Sequence, residues 1–339
     1  MKFLKALLVC AALFSGNAMA QIAIATWNIQ NLGHGNQKSY VALAETAQTF
    51  DLLAIQEVMN REGAEQLRQA LEKKTGHSWE LMYSHLLGRG SYKEKYAFLW
   101  KKATVEYVDG AVVYLDKRDR FIREPFSARF RERASGLEFV AATVHILYGK
   151  SVEDRIPEIE SLGSYWQWLE SAYEDTPIML MGDFNLAPSH PAWDSLKQHA
   201  RPLVESGATT VSSVDGRYAN LYDNIWTGLR NPAPVVKTHI VKAPELLGWP
   251  HEKFRKHASD HVPVVTYTGS RTQVAQAHTA PILPAPSPAK RPVNANKASG
   301  IYHLSLCPSY GKVSATNLVV FSTEAEAVAA GFRKAGNCP

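Results

Sequence analysis

The chain has few cysteines, no apolar run of the length a membrane requires, and no strong excess of charge of either sign. Three cysteines in 339 residues exclude a small scaffold stapled by many disulfides. The apolar stretch at residues 6–14 is too short for a bilayer, which takes about 20 residues, so no stable membrane insertion is expected. Lys and Arg number 37 against 32 Asp and Glu, a formal charge of +5. That balance excludes a histone-like polycation, yet it permits contact with nucleic acid. Hydrophobic residues make up 45 % of the chain, so a sizeable core can form, and the length suits about two domains.

The amino terminus reads as an address. Lys2 and Lys5 precede the apolar stretch, and Ala18-Met19-Ala20 is a small-x-small cleavage site. Residues 1–20 are therefore expected to be a signal peptide, and the protein to be secreted or periplasmic. Val9 is too bulky to precede a lipidated cysteine at Cys10. Cleavage before Gln21 would remove Cys10 and leave Cys307 and Cys338. In an exported chain two cysteines read first as a disulfide.

Residues 21–269 mix strand and helix patterns. Short apolar runs at 22–27, 51–55, 96–100, 139–144, 177–181 and 262–267 predict strands, and helical spacing falls at 40–48 and 62–73. This predicts one layered α/β or α+β domain. Residues 270–298 contain Pro281, Pro284, Pro286, Pro288 and Pro292, and from Arg271 onward no acidic or aromatic residue. They read as an extended linker. Residues 299–339 regain structure as a small module, with strands near Tyr302 and at 318–321 and a helix over 324–330 ended by Gly331.

Several predicted strands end in polar residues that a strand core does not want. Asn28 follows the first strand and Glu57 the second. His145 ends another. Asp183 and Asn185 follow the Ile178–Met181 run, and Asp260-His261 precedes the last strand. Strand ends on one side of a layered fold converge, so these groups can share a cleft. Carboxylates and amides suit Mg2+ or Mn2+, with Ca2+ as a third candidate, and not a soft metal. Two histidines beside such a site can move protons near neutral pH. Together this is equipment for phosphoester hydrolysis.

The stretches Trp27-Asn28-Ile29-Gln30-Asn31-Leu32, Gln56-Glu57-Val58, Gly182-Asp183-Phe184-Asn185 and Ser259-Asp260-His261-Val262-Pro263 resemble the endonuclease/exonuclease/phosphatase superfamily. Three more resemble its deoxyribonuclease I branch: Ser91-Tyr92-Lys93-Glu94-Lys95-Tyr96, Arg123-Glu124-Pro125-Phe126 and Leu221-Tyr222-Asp223-Asn224-Ile225. The resemblance implies an α+β fold, a two-layer β-sandwich flanked by helices. It implies that His145 and His261 form the general acid–base pair, with Glu94 orienting His145 and Asp223 orienting His261. Asn28, Glu57 and Asp260 would hold a divalent metal. Asp183 and Asn185 would bind the scissile phosphate or a second metal. Arg123 would contact a phosphate, and Tyr92 would pack on a sugar.

The chain departs from the branch in places. Ala187 and Asn220 stand where the branch has a loop disulfide, and Gln30 and Met59 replace basic groove contacts. The small cysteine loop before Arg123 is missing, although Asp116 and Asp119 remain as candidate Ca2+ ligands. Residues 302–338 resemble the small Ada-type metal-binding domain. Its four zinc cysteines correspond to His303, Cys307, Ala335 and Cys338, so a Cys307–Cys338 disulfide is the first expectation and a zinc site with His303 the alternative. Such a module would bind DNA or a cell-surface polymer, or merely cap the chain.

The expectation for the whole is an exported, metal-dependent nuclease acting on duplex DNA with little sequence preference, monomeric by default. The alternatives are a phospholipid phosphodiesterase of the sphingomyelinase type and a non-catalytic DNA-binding protein. Abasic-site repair shares the fold but not the exported setting.

Overall fold

The computed structural model describes residues 21–35, 37–269, 293–304, 307, 309–336 and 338. The expected signal peptide and residues 270–292 of the expected linker lie outside them. The chain divides into two compact units.

In the first unit β1 (Ala23–Leu32) leads through α1 (Tyr40–Ala47) to β2 (Leu52–Val58), and α2 (Arg61–Thr75) leads to β3 (Trp79–Tyr83) and β4 (Lys95–Lys101). The chain continues through β5 (Val105–Val113), β6 (Phe126–Glu132), β7 (Glu138–His145), α3 (Ile156–Ala172) and β8 (Ile178–Asp183). Then come α4 (Asp194–Lys197), β9 (Ala200–Pro202), β10 (Asp223–Gly228), β11 (Val235–Ile240), α5 (Ala243–Leu247), α6 (His251–His257) and β12 (Val264–Thr268). The strands form two six-stranded sheets, ordered β11-β12-β1-β2-β4-β3 and β5-β6-β7-β8-β10-β9. This is the two-layer α+β sandwich that the sequence motifs imply.

Side-chain alternation explains the layering. Along β1 and β2, Ile24, Leu52 and Ala54, with Ile22 just before β1, pack between the sheets against Phe126, Phe130, Phe139 and Met181. The intervening Ala23, Ala25, Trp27, Leu53 and Ile55 pack outward against helix residues such as Leu43, Leu67, Leu71 and Phe254. On the second sheet Val140, Ala142, Val144 and Leu180 face α3 through Ile159, Leu162, Trp166 and Leu169. A strand covered on both faces is apolar throughout, which is why these segments read as short continuous runs. Trp193 stacks on Trp226 at 4.8 Å and closes the far side of this outer core. Among the described residues no helix is long and apolar enough to cross a membrane.

The second unit is a four-stranded sheet, ordered β15-β13-β14-β16, from β13 (Val293–Asn296), β14 (Ile301–His303), β15 (Leu318–Phe321) and β16 (Arg333–Lys334), with α7 (Glu324–Ala329). This corrects the expected linker, which does not run to 298. Val293 and Ala295 are buried core residues of a strand paired on both sides. Their apolar alternation was hidden by the proline-rich segment before it. Cys307 and Cys338 form a disulfide across 31 residues of sequence, with Cα atoms 4.6 Å apart. His303 lies beside them, and thiols joined to each other in this way do not act as zinc ligands. Among the described residues the buried hydrophobic cluster here is small, Val293, Ala295, Tyr302 and Ala327, so the crosslink matters. Cys307→Ser should remove about 3–4 kcal/mol from the module. Protease sensitivity confined to residues 293–338 would register the loss; unchanged resistance would show that the small core suffices.

Candidate active site

Strand register brings the polar strand ends together. β7 runs parallel to β8 with His145 opposite Asp183, and β10 runs antiparallel to β8 with Asp223 opposite Asp183. Three adjacent strands thus present one of these groups each. Gly182 permits this: a Cβ there would sit 2.0 Å from the Val144 carbonyl oxygen, and its φ is 147°. On the other sheet Asn28 lies opposite Gln56, and Lys95, next to Glu94, lies opposite Val58.

The two imidazoles are held alike. His145 Nδ1 contacts Glu94 Oε1 at 2.9 Å, and His261 Nδ1 contacts Asp223 Oδ2 at 2.7 Å. Both Nε2 atoms lie 3.6 Å from the same oxygen, Asp183 Oδ2. That oxygen also accepts from Asn28 Nδ2 at 2.9 Å, while Asp183 Oδ1 accepts from the Asn185 backbone N–H at 2.9 Å. His145, His261, Glu94, Asp223, Asp183 and Asn185 are all buried.

Burial opposes the charged form of His261, but Asp223 and Asp183 overcome it and hold its pKa well above the ordinary 6.5. For His145 burial again opposes charge and Glu94 raises the pKa, but the nearby Arg123 pulls it back, leaving a net rise. Burial pushes the Asp223 carboxyl up. Asp183 falls below its ordinary range because the two imidazoles outweigh its burial.

Glu57 takes a left-handed backbone, φ 59°, and its carboxylate accepts from Asn28 Nδ2 at 3.0 Å and the Asn31 N–H at 3.0 Å. A glutamate at such a φ is strained, and these bonds hold it there. Among the described residues the buried Asn28 Oδ1 has no hydrogen-bond partner, while its Nδ2 reaches Glu57 and Asp183. An orphaned amide oxygen on a side chain whose nitrogen is bonded to two carboxylates suits a hard cation. Asp260 lines the same cleft and accepts from Gln30 Nε2 at 3.0 Å. A second group able to hold an ion is Asp183, Asp223 and His261. There the two carboxylates also favour the protonated form of His261.

The other expected residues are also placed. Arg123 is buried, and its Nε and Nη2 both donate to the His145 carbonyl, at 3.0 and 2.9 Å. It lines the cleft and lies 6.0 Å from the Tyr92 ring centroid. Two of its nitrogens therefore brace the histidine, a task that the phosphate-contact expectation left out. Asn185 Nδ2 donates to the Ile146 carbonyl at 2.8 Å. Asp116 and Asp119 do not read as a calcium site. The Asp116 carboxylate accepts backbone N–H groups of Arg118, Arg120 and Phe121, and Asp119 pairs with Arg89. Where the branch disulfide is lacking, the Asn220 carbonyl accepts from the Thr209 and Thr210 N–H groups, and Trp193 Nε1 donates to the Ala187 carbonyl at 2.8 Å.

Some site residues escaped the sequence reading. The Tyr96 hydroxyl accepts the His145 N–H at 2.9 Å. Lys38 Nζ donates to the Ala258 carbonyl at 2.7 Å, and burial lowers its pKa to about 8 against the pull of Asp260 and Glu57. Gln56 bonds Thr143 Oγ1 at 2.8 Å between the sheets. A glutamine inside an apolar strand was the one available signal. The cleft, about 780 Å³, is also lined by Thr210, Ser212, Arg217 and Arg255.

The description Endonuclease/Exonuclease/phosphatase family matches residues 25–261. A deoxyribonuclease of Thioalkalivibrio sp. (strain K90mix) is 51% identical over 255 residues, 73% of this chain and 71% of that protein. Deoxyribonuclease-1 of Homo sapiens is 29% identical over 232 residues, 63% of this chain and 79% of that protein. A solved endonuclease/exonuclease/phosphatase family protein from Bacteroides thetaiotaomicron superposes with a TM-score of 0.53 at 17% identity, over 74% of this chain and 99% of that one. The match runs from the first strand to the histidine before the last, and with a relative at half identity it makes this chain a member of the endonuclease/exonuclease/phosphatase family of hydrolases.

Proposed function

We propose that this protein is an exported deoxyribonuclease. It hydrolyses phosphodiester bonds of duplex DNA with little sequence preference, by a divalent-metal-dependent mechanism using His145 and His261 as general base and acid. The observation that carries this reading is the single Asp183 oxygen 3.6 Å from both Nε2 atoms, each imidazole being backed by its own carboxylate. The 51% identical deoxyribonuclease supplies the substrate class.

His261 is the acid. Asp223 and Asp183 keep it protonated, and it delivers that proton to the leaving oxygen. His145 is the base. Its Nδ1–H is fixed on Glu94, which leaves Nε2 to take a proton from the attacking water, and Arg123 opposes its charging. Asn28 Oδ1, Glu57 and Asp260 offer hard oxygens for Mg2+ or Mn2+. A bound cation of this kind would neutralise charge on the phosphoryl oxygens. Arg123 and Asn185 line the cleft as donors for the phosphate. Much of the affinity should come from phosphate contacts and fall with salt.

The purified protein with Mg2+ is to be given plasmid DNA, RNA and sphingomyelin in parallel, with and without chelator. Plasmid nicking abolished by chelator is expected. Hydrolysis of lipid but not plasmid rejects the reading, and retention of DNA without turnover points to a binding protein.

The pH profile follows from the two imidazoles. Activity rises as His145 loses its proton and falls as His261 loses its own. Both pKa values are raised, so the optimum lies above 6.5. Glu94→Gln should move the rising limb to lower pH by about one to three units, and Asp223→Asn the falling limb likewise. Limbs that stay put in both variants would separate the histidines from the chemistry.

A further inference from the structure

Tyr148 stands three residues beyond His145, on the loop after β7. Its ring is 57% exposed although it lines the cleft. An open tyrosine on a loop ordinarily keeps its rotamer freedom. This one is braced. The Arg155 guanidinium lies 4.3 Å from its ring centroid, and Arg155 Nε donates to the Tyr148 carbonyl at 2.8 Å. The same guanidinium is 5.5 Å from the Tyr222 ring, and the two tyrosines meet edge to face at 6.4 Å.

Arg155 itself is buried, and among the described residues no carboxylate forms a salt bridge with it. A buried guanidinium is costly unless its charge and N–H groups are met in another way. Here Nη1 donates to the Asn185 carbonyl and to the Tyr222 hydroxyl, and two aromatic rings receive the charge. A buried charge is thus spent on holding one exposed ring, and it ties that ring to Asn185 in the active site.

We propose that Tyr148, braced by Arg155, is a stacking platform for a nucleobase that has left the double helix, so that the enzyme grips single-stranded DNA by a contact a duplex does not make. This rests on the nuclease reading above and extends its substrate class. Every base has a π-face, but in a duplex both faces are covered by neighbours. An unpaired base near the scissile phosphate is free to lie on a ring at the cleft. A ring fixed beforehand loses little freedom when the base arrives.

One oligonucleotide sequence, single-stranded or annealed to its complement, is to be digested by the wild type and by Tyr148→Ala, Tyr148→Phe and Tyr148→Trp. Tyr148→Ala should raise KM for the single strand on the order of ten-fold and leave the duplex KM within about two-fold. Tyr148→Phe should behave as wild type, and Tyr148→Trp should bind the single strand at least as well. A single strand of abasic sites should be cut by the wild type with the high KM of Tyr148→Ala. Unchanged duplex cleavage also reports that each variant is folded. Equal KM rises on both substrates would mean that the ring packs on sugar or backbone, and would overturn the proposal, as would no change on either. If the wild type cuts no DNA at all, the nuclease reading fails and takes the platform with it. If it cuts DNA but the variants do not separate the two substrates, the platform alone fails.

Discussion

His261→Ala and His145→Ala should each lower kcat on plasmid DNA by about 10²–10⁴-fold, with little change in KM. The proposed roles operate in the transition state, when a proton leaves water and another reaches the leaving oxygen. Binding of the DNA backbone uses other groups, so ground-state affinity is spared. The two roles are parts of one step, so the double variant should be no slower than the worse single variant by more than about ten-fold. Both rings sit on the surface of a cavity and not in the apolar core, and both remain slightly exposed. Their removal leaves Glu94 or Asp223 buried without its imidazole, so a lower melting temperature is expected, and a thermal melt verifies that each variant is still folded at the assay temperature. Initial rates of conversion of supercoiled to nicked plasmid give the kcat values. A folded variant with near-wild-type kcat would remove that histidine from the mechanism.

Asp183→Asn is the second large effect, expected at about 10²–10³-fold in kcat. The change keeps the shape and removes the charge. Asp183 Oδ2 faces both Nε2 atoms and accepts from Asn28, while Oδ1 accepts from the Asn185 N–H. An amide cannot satisfy both sides. Turned one way its NH2 group meets Asn28 Nδ2, and turned the other way it meets the Asn185 N–H. A buried donor set against a donor costs about 1–3 kcal/mol, so a lower melting temperature should accompany the lost rate. Without this carboxylate both imidazoles lose part of the support for their protonated forms, so the whole pH profile should shift to lower pH. Rate and melting temperature as in the wild type would show that neither the charge nor the acceptor pair matters. A normal rate with only a lower melting temperature would leave Asp183 a structural residue.

The legible part of this protein lay where local chemistry speaks for itself. The buried strands β1, β2, β4, β7 and β8 showed as apolar runs, because a strand covered on both faces has no room for polar residues. The half-exposed strands β5 and β11 did not show. Their burial is uneven along the strand, so no clean period of two remains. Helix α3 also went unread. It is buried on one face by Ile159, Leu162 and Trp166, but its glycine and many aromatics blur the helical period. Strand β13 was lost among prolines.

By itself, the sequence determined which groups are available: two histidines, the carboxylates Glu57, Glu94, Asp183, Asp223 and Asp260, and the motifs that relate them to one family. Which of these meet was decided by strand register within one sheet, where Asp183 lies opposite His145 in a parallel pairing and opposite Asp223 in an antiparallel one, and by the packing of the two sheets, which brings Asn28 to Asp183 and Glu94 to His145. The same tertiary packing gave Arg123 a backbone carbonyl to hold, left Asn28 Oδ1 without a partner among the described residues, and set a buried Arg155 under an exposed Tyr148. No local pattern encodes such contacts, because the partners lie up to 230 residues apart along the chain. They form only when separate strands end at the same edge of the two sheets.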